Sequence, residues 1–369
     1  MNIQKATQEY EAWLGERTTL VKADLDFKHT QMATGVFPFL RSTFYRWAQV
    51  FPEACPDLAK APALLAVGDL HIENFGTWRD KEGRLIWGVN DFDEAHQMPY
   101  TIDLVRLAVS AGLAEGMTLK ESAVCEAILD GYEAGLKAGG KPFVLAEDHA
   151  WLRDIADKNL ADPDGFWKKM DALPGAEKDV PLSAREGIEH LLPPPRPPYH
   201  AVSRRAGLGS LGHQRFVGLA NWQGGQVARE AKALVPAAWL WAIKKQGPLE
   251  ILYQAILSRS VRCPDPYVEL RGEWVLRRLA PDCIRVPLES LADEKEALRL
   301  LRAMGWETAN VHLGSPKVIE DVQRHLARLP KKWLFHAMDA MTQSSKQDYE
   351  VWTKEAGSKA TSAKTLNTL

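Results

Sequence analysis

Two stretches, Gly68-Asp69-Leu70-His71-Ile72-Glu73-Asn74-Phe75-Gly76 and Asn90-Asp91-Phe92-Asp93-Glu94, decide how this chain is read. Ahead of the first runs Ala63-Leu64-Leu65-Ala66-Val67, with the length and apolar character of a buried strand delivering a polar loop. Between the two, residues 75–79 and 84–89 flank the turn-forming Asp80-Lys81-Glu82-Gly83, the pattern of a hairpin. Phosphoryl transfer needs a base for the acceptor hydroxyl, and carboxylate and amide oxygens to hold magnesium. An Asp and an Asn five positions apart supply both from one loop, and an Asp after the following hairpin bridges metal to nucleotide phosphates. Asp69, Asn74 and Asp91 fit those roles in that order, with Asp93 a further candidate metal ligand. Singly, each reads more simply as a turn former whose side chain caps a loop. Their spacing across the hairpin reverses that weighting.

Working outward, 369 residues suit one large domain or two lobes. Hydrophobic residues make up 46% and charged residues 25%, an ordinary balance for a soluble globular protein. The net charge of −2 argues against a nucleic-acid binder held by phosphate contacts. Cys55, Cys125, Cys263 and Cys283 are far apart with no Cys-x-x-Cys pair, which disfavours a zinc ribbon or disulfide framework and suits a reducing cytosol. The first ten residues carry charge where a signal peptide needs an apolar core, and no stretch has the length of a membrane span. The expectation is a cytoplasmic protein with no membrane partner.

Residues 3–50 read as helical with a break at 35–38, followed by the strand and hairpin and then a helix over 102–116. Further helices are expected to about 173, and residues 139–192 are expected to shape the acceptor side. Five prolines between Leu191 and Tyr199 exclude helix and sheet and mark a lobe boundary. Beyond it, 214–222, Gly224-Gly225 and 226–234 read as a strand hairpin, followed by a helix over 236–246 and strands at 268–270 and 274–279. Helices return at 294–312 and 332–355, and the polar end after 355 reads as a frayed tail. The expected organisation is therefore 1–192 and 290–355 as a helical catalytic lobe, 193–289 as a small β-rich nucleotide lobe, and 356–369 as a flexible tail.

Gly-Asp-Leu-His-x-x-Asn followed by a hairpin and an Asp resembles the aminoglycoside phosphotransferases and related small-molecule kinases. The longer form, with Asn90–Glu94 and Asp103-Leu104-Val105-Arg106-Leu107, is similar to a bacterial family known as domain of unknown function 2252. That likeness continues at Phe39-Leu40-Arg41, Gly207–Gly212, Arg229-Glu230-Ala231 and Gly305–His312, and so covers most of the chain. The resemblance implies Asp69 as catalytic base, His71 shaping its loop, Asn74 and Asp91 as metal ligands, and Asp103 with Arg106 as structural support. Val67 departs from the pattern by standing where the phosphotransferases carry a further His, and the hairpin is longer than theirs.

Gly207-Leu208-Gly209-Ser210-Leu211-Gly212 is a weak signal alone. Its place between two strands is the kinase arrangement, in which backbone N–H groups of Gly207, Gly209, Ser210 and Gly212 cover the phosphates of ATP. A cation should follow on the next strand. The resemblance sets it at Arg229, Lys232 is the nearest lysine, and their opposite strand parity bars both from one cleft. Glu230 and Glu250 are candidate partners for it. The catalytic loop precedes the glycine loop, the reverse of a standard kinase, and a circular permutation joined near 193–199 explains the order.

The fold expected is α+β, two-lobed, kinase-like and circularly permuted. The function expected is ATP- and magnesium-dependent transfer to a small-molecule or protein hydroxyl. A nucleotide-binding regulator without turnover is the alternative. A dinuclear metallophosphoesterase is a lesser one, because its later metal motifs are absent from the sequence.

Overall fold

The computed structural model describes residues 1–114, 119–159, 162–286, 291 and 293–366, with 355–366 as backbone alone. It is an α+β protein with small antiparallel sheets. Four helices open the chain: α1 (Ile3–Gly15), α2 (Lys22–Met32), α3 (Val36–Ser42) and α4 (Phe44–Ala54). The one expected break becomes three. Phe39, Phe44, Trp47 and Phe51 are buried in the main core, as the helical spacing of the aromatics requires.

β1 (Ala63–Ala66) leads into the loop that carries Asp69, His71 and Asn74, and β2 (Phe75–Arg79) pairs with β3 (Leu85–Val89) as the expected hairpin. β4 (His96–Pro99) returns antiparallel to β1, and α5 (Thr101–Gly112) buries all residues from Thr101 to Ala111. It ends at Gly112, short of the expected 116, and 115–118 lie outside the described residues. α6 (Glu121–Ala138), β5 (Phe143–Val144) beside β3, and α7 (Ala150–Asn159) follow.

The second sheet has five antiparallel strands. β6 (Tyr199–Ser203), β7 (Arg215–Trp222), β8 (Gly225–Ala233), β9 (Glu269–Arg271) and β10 (Trp274–Leu279) lie in the order β6-β7-β8-β10-β9. Gln223 and Gly224, at φ 46° and 84°, make the two-residue turn of the β7–β8 hairpin. Two further helices cover this sheet, and both lie inside the region expected to complete the catalytic lobe. α8 (Pro163–Asp171) sets Met170 against Val202, Val217 and Leu219, while α9 (Leu182–Leu191) sets Ala184 and Ile188 against Phe216, Ala231 and Leu276. α8 and α9 thus pack on the five-stranded sheet although they precede the prolines. No described residue from 139 to 192, the stretch expected to shape the acceptor side, lines the cleft described below.

α10 (Ala238–Ala242) and α11 (Tyr253–Arg259) leave the sheet after β8 and pack into the main core. α12 (Glu294–His312), α13 (Ile319–Leu326) and α14 (Trp333–Leu366) complete the chain. α14 continues as helix past 355, where composition suggested a tail, and 367–369 lie outside the described residues. Among the described residues no helix is long and apolar enough to cross a membrane.

α6 and α12 cross at glycines. A Cβ on Gly131 would sit 1.9 Å from the Arg302 carbonyl oxygen, and one on Gly305 2.1 Å from that of Ile128. This close crossing carries the C-terminal turn of α12 to the site. Gly305→Ala should lower unfolding free energy by about 1–3 kcal/mol through overpacking, read by urea denaturation. Unchanged stability would show that the crossing has slack.

Candidate functional site

The loop that follows β1 is held at its start by one carboxylate. Asp103, fully buried near the start of α5, accepts the N–H groups of Val67 and Gly68, each at 2.8 Å. His312 of α12 lies 2.9 Å from the same carboxylate and is bonded in turn to Tyr132 of α6 at 2.8 Å. Gly68 has φ +86°, and a Cβ there would meet the Glu94 carbonyl oxygen at 2.7 Å, so the turn accepts only glycine without strain. Within the loop, Asn74 Oδ1 accepts the His71 N–H at 2.6 Å, and His71 Nδ1 accepts the Glu73 N–H at 3.2 Å. His71 is buried; burial, then the nearby Arg41, Arg106 and Arg285, hold its pKa well below the ordinary value, so the ring is a neutral brace of the loop.

Asp69 is gripped from one side only. Fully buried Arg106 donates Nε to Oδ1 at 2.6 Å and Nη2 to the Leu40 carbonyl at 2.8 Å, with Phe44 and Trp47 against its guanidinium. Oδ2 is left toward the cleft. Burial raises the Asp69 pKa to about 6, against the opposing pull of Arg106.

The glycine loop arrives on that open side. Between β6 and β7 it lines a cleft of about 240 Å³ together with Asp69, His71, Asn74, Asp91 and Asp93. A Cβ on Gly209 would lie 3.3 Å from both Asp69 Oδ2 and the Arg41 carbonyl oxygen, a tight approach that sets the loop backbone close to the Asp69 carboxylate. The N-terminal helices hold the loop from behind. Buried Lys28 donates to the Gly209 carbonyl at 3.0 Å, and Val21 N–H donates to that of Gly212 at 2.8 Å. Ser210 Oγ accepts from Arg215 at 2.9 Å.

The two cation candidates separate as strand parity demands. Lys232 faces the cleft side of β8 and reaches both oxygens of Asp93 at 2.5 and 2.6 Å, with Asp91 at 3.5 Å. Arg229 faces α9, donates to the Leu191 carbonyl at 2.8 Å and packs on Tyr267, so it does not join the site. Glu230 partners three arginines instead of Lys232, and Glu250 is exposed. The cleft is therefore lined by Asp69, His71, Asn74, Asp91, Asp93 and the glycine loop from Gly207 to Ser210, supported by Asp103 and Arg106; Lys232 lies buried behind Asp93, and Gly212 packs against Leu25 outside the lining.

Burial works against both Asp91 and Asp93. For Asp91 it is outweighed by Lys232, Arg277 and Arg215, which keep that group ionised; for Asp93, burial and then the Asp91 charge push the carboxyl up. Burial also lifts Glu94 to about 8, although its Oε2 accepts the Ala238 N–H at 2.6 Å. Carboxyl groups held up by burial and mutual repulsion suit a bound cation. Among the described residues no group of three or more His, Cys, Asp or Glu forms a ready cage. Magnesium commonly takes one or two carboxylates and completes its shell with water and phosphate oxygens. Asp91, whose side chain is 38% exposed, and Asp93 beside it fit that donor set, with the Asn74 amide lining the same cleft.

Sequence reasoning missed Lys28, Glu94, Arg204, Arg215 and Arg277. Glu94 stood in the motif already quoted, whereas the others carry no local signal because their partners lie far away in sequence. Glu307 was missed likewise: it accepts the Val89 N–H at 3.2 Å and ties α12 to β3.

Asp103→Asn keeps shape but sets an amide N–H₂ against a buried donor. It should cost about 1–3 kcal/mol of stability and increase hydrogen exchange at Val67 and Gly68. Unchanged protection at both amides would remove Asp103 as the brace.

Residues 20–155 match the model of a family described as "Uncharacterized protein conserved in bacteria (DUF2252)". No curated protein and no solved structure matches the chain. The matched stretch holds Asp69, His71, Asn74, Asp91, Asp93, Asp103 and Arg106 and ends before the glycine loop, so over the acidic side of its cleft the chain is similar to this uncharacterised bacterial family.

Proposed function

We propose that the protein is an ATP- and magnesium-dependent phosphotransferase acting on a hydroxyl acceptor, built on a circularly permuted kinase-like fold. One observation carries the reading: a glycine loop between two antiparallel strands meets the trio Asp69, Asn74 and Asp91 at one cleft, with a lysine on the third strand buried behind Asp93 at its edge. Those parts are the ones phosphoryl transfer uses, and residues far apart in sequence contribute them. The permutation is supported where the chain would be rejoined. Leu65 N–H donates to Ser315 Oγ at 3.0 Å, so the chain leaving α12 comes beside the start of β1. A single link there would restore the usual kinase order.

In this reading Asp69 Oδ2 takes the acceptor's hydroxyl proton as the acceptor oxygen bonds to the terminal phosphorus and the nucleoside diphosphate departs. Arg106 keeps Asp69 pointed and ionisable; the glycine loop's backbone excludes water above it. Asp91 and Asp93, with Asn74, would hold magnesium, which neutralises charge on the transferring phosphoryl group. Lys232 holds Asp93 in place.

The base must be unprotonated, so turnover should rise with pH through about 6 and level off above it. Asp69→Asn should leave Mg·ATP affinity nearly unchanged and reduce ATP turnover by roughly a hundredfold or more. Asp91→Asn should abolish magnesium-dependent nucleotide binding, read by calorimetry, with the fold intact. Turnover undiminished in Asp69→Asn would rule out the base. Wild-type binding without any turnover would instead favour a nucleotide-binding regulator.

A further inference from the structure

The cations facing the cleft are unevenly spent. Lys232 is fully engaged by Asp93. Three arginines share a single buried carboxylate, Glu230: Arg204 at 2.6 Å, Arg277 at 2.5 Å and Arg215 at 3.3 Å. They come from separate segments, Arg204 just past β6, Arg215 opening β7 and Arg277 in β10. Strand register brings them together, since Arg215 stands opposite Lys232 and Arg277 opposite Glu230. All three line the cleft.

Glu230 carries one charge against three guanidiniums, so it cannot neutralise the group alone, and positive charge is left facing the cleft. Arginine cannot discard its proton to relieve this. Asp91 lies in the field of Arg277 and Arg215, and Asp93 in that of Arg215, but both carboxylates are also drawn to Lys232. Arg215 also bonds Ser210 of the glycine loop, where the phosphates of a nucleotide would lie. Planar guanidiniums suit phosphate oxygens better than a lysine already committed to a carboxylate.

We infer that Arg215 and Arg277, held in place by Glu230 and flanked by Arg204, form a polyphosphate cradle that grips the phosphate chain of the nucleotide. The inference rests on the reading of the cleft as a nucleotide site. It assigns the phosphate charge to arginines of the first, second and fifth positions along the β-rich segment, and leaves Lys232 to position Asp93.

Inorganic tripolyphosphate and adenosine separate the cradle from the base-binding part of the cleft. Binding is measured by calorimetry and thermal shift on wild type, Arg277→Met and Glu230→Gln. Tripolyphosphate should stabilise wild type while adenosine does little. Arg277→Met, in which Glu230 keeps two partners, should bind tripolyphosphate about tenfold or more weakly, the range for losing a charged hydrogen bond. Glu230→Gln should melt lower when free, yet gain more from tripolyphosphate than wild type, because the ligand then relieves three unopposed guanidiniums. A merely structural cluster would show no such larger gain. If Arg277→Met does not fold, that comparison decides alone. Equal tripolyphosphate affinity in wild type and Arg277→Met overturns the cradle and leaves the nucleotide site standing. Binding of tripolyphosphate but not Mg·ATP by wild type keeps the cradle and overturns the nucleotide reading, and binding of neither overturns both.

Discussion

The carboxylate of Asp103 ties together more of this molecule than any core contact does. It takes two consecutive backbone donors at the end of β1, and through His312 it reaches α12 and then Tyr132 of α6. Backbone N–H groups in a buried turn must find acceptors, and no neighbouring strand is available at Val67 and Gly68. A side chain on α5 supplies both. The direction in which Asp69 leaves β1 is thereby set by a helix that begins more than thirty residues later. Arg106, one turn along from Asp103 on α5, fixes the side chain of Asp69. One helix thus sets both the backbone and the carboxylate of the base.

The opposite wall is organised by charge rather than by packing. On β8 the alternation of side chains splits Arg229 and Ala231 from Glu230 and Lys232, so one face meets α9 and the other the cleft. Buried charges of this kind persist only when paired and hydrogen-bonded. Here Glu230 and Lys232 each find partners from distant segments. The N-terminal helices then press the glycine loop toward Asp69 through Lys28 and Val21. The cleft is therefore assembled from widely separated regions of the chain.

How much of this was legible in the sequence follows from how local each signal is. Asp69, Asn74, Asp91 and Asp103 sit in compact motifs, and the structure gathers all four. The β2–β3 and β7–β8 hairpins carry turn chemistry and strand-like runs, and α12 has a full helical period from an Asp293 cap that accepts the Glu296 N–H. By contrast β4, β5 and β6 span only two to five residues and exist because a partner strand is present. α9 reads as an ordinary helix, and nothing local says which lobe its apolar stripe will meet. The competition between Arg229 and Lys232 was posed correctly by parity, but deciding it needed the position of α9. Glu230 was visible only as a residue between them, since its three arginines lie 15 to 47 positions away.

The central claim is that catalytic loop, metal-binding hairpin and glycine loop close as one site around a magnesium-bound nucleotide. Hydrogen–deuterium exchange with and without Mg·ATP tests it most directly. The account predicts protection appearing together in residues 68–76, 90–94 and 204–214, and vanishing when magnesium is chelated. Protection confined to one of these segments, or unaffected by magnesium, would contradict it.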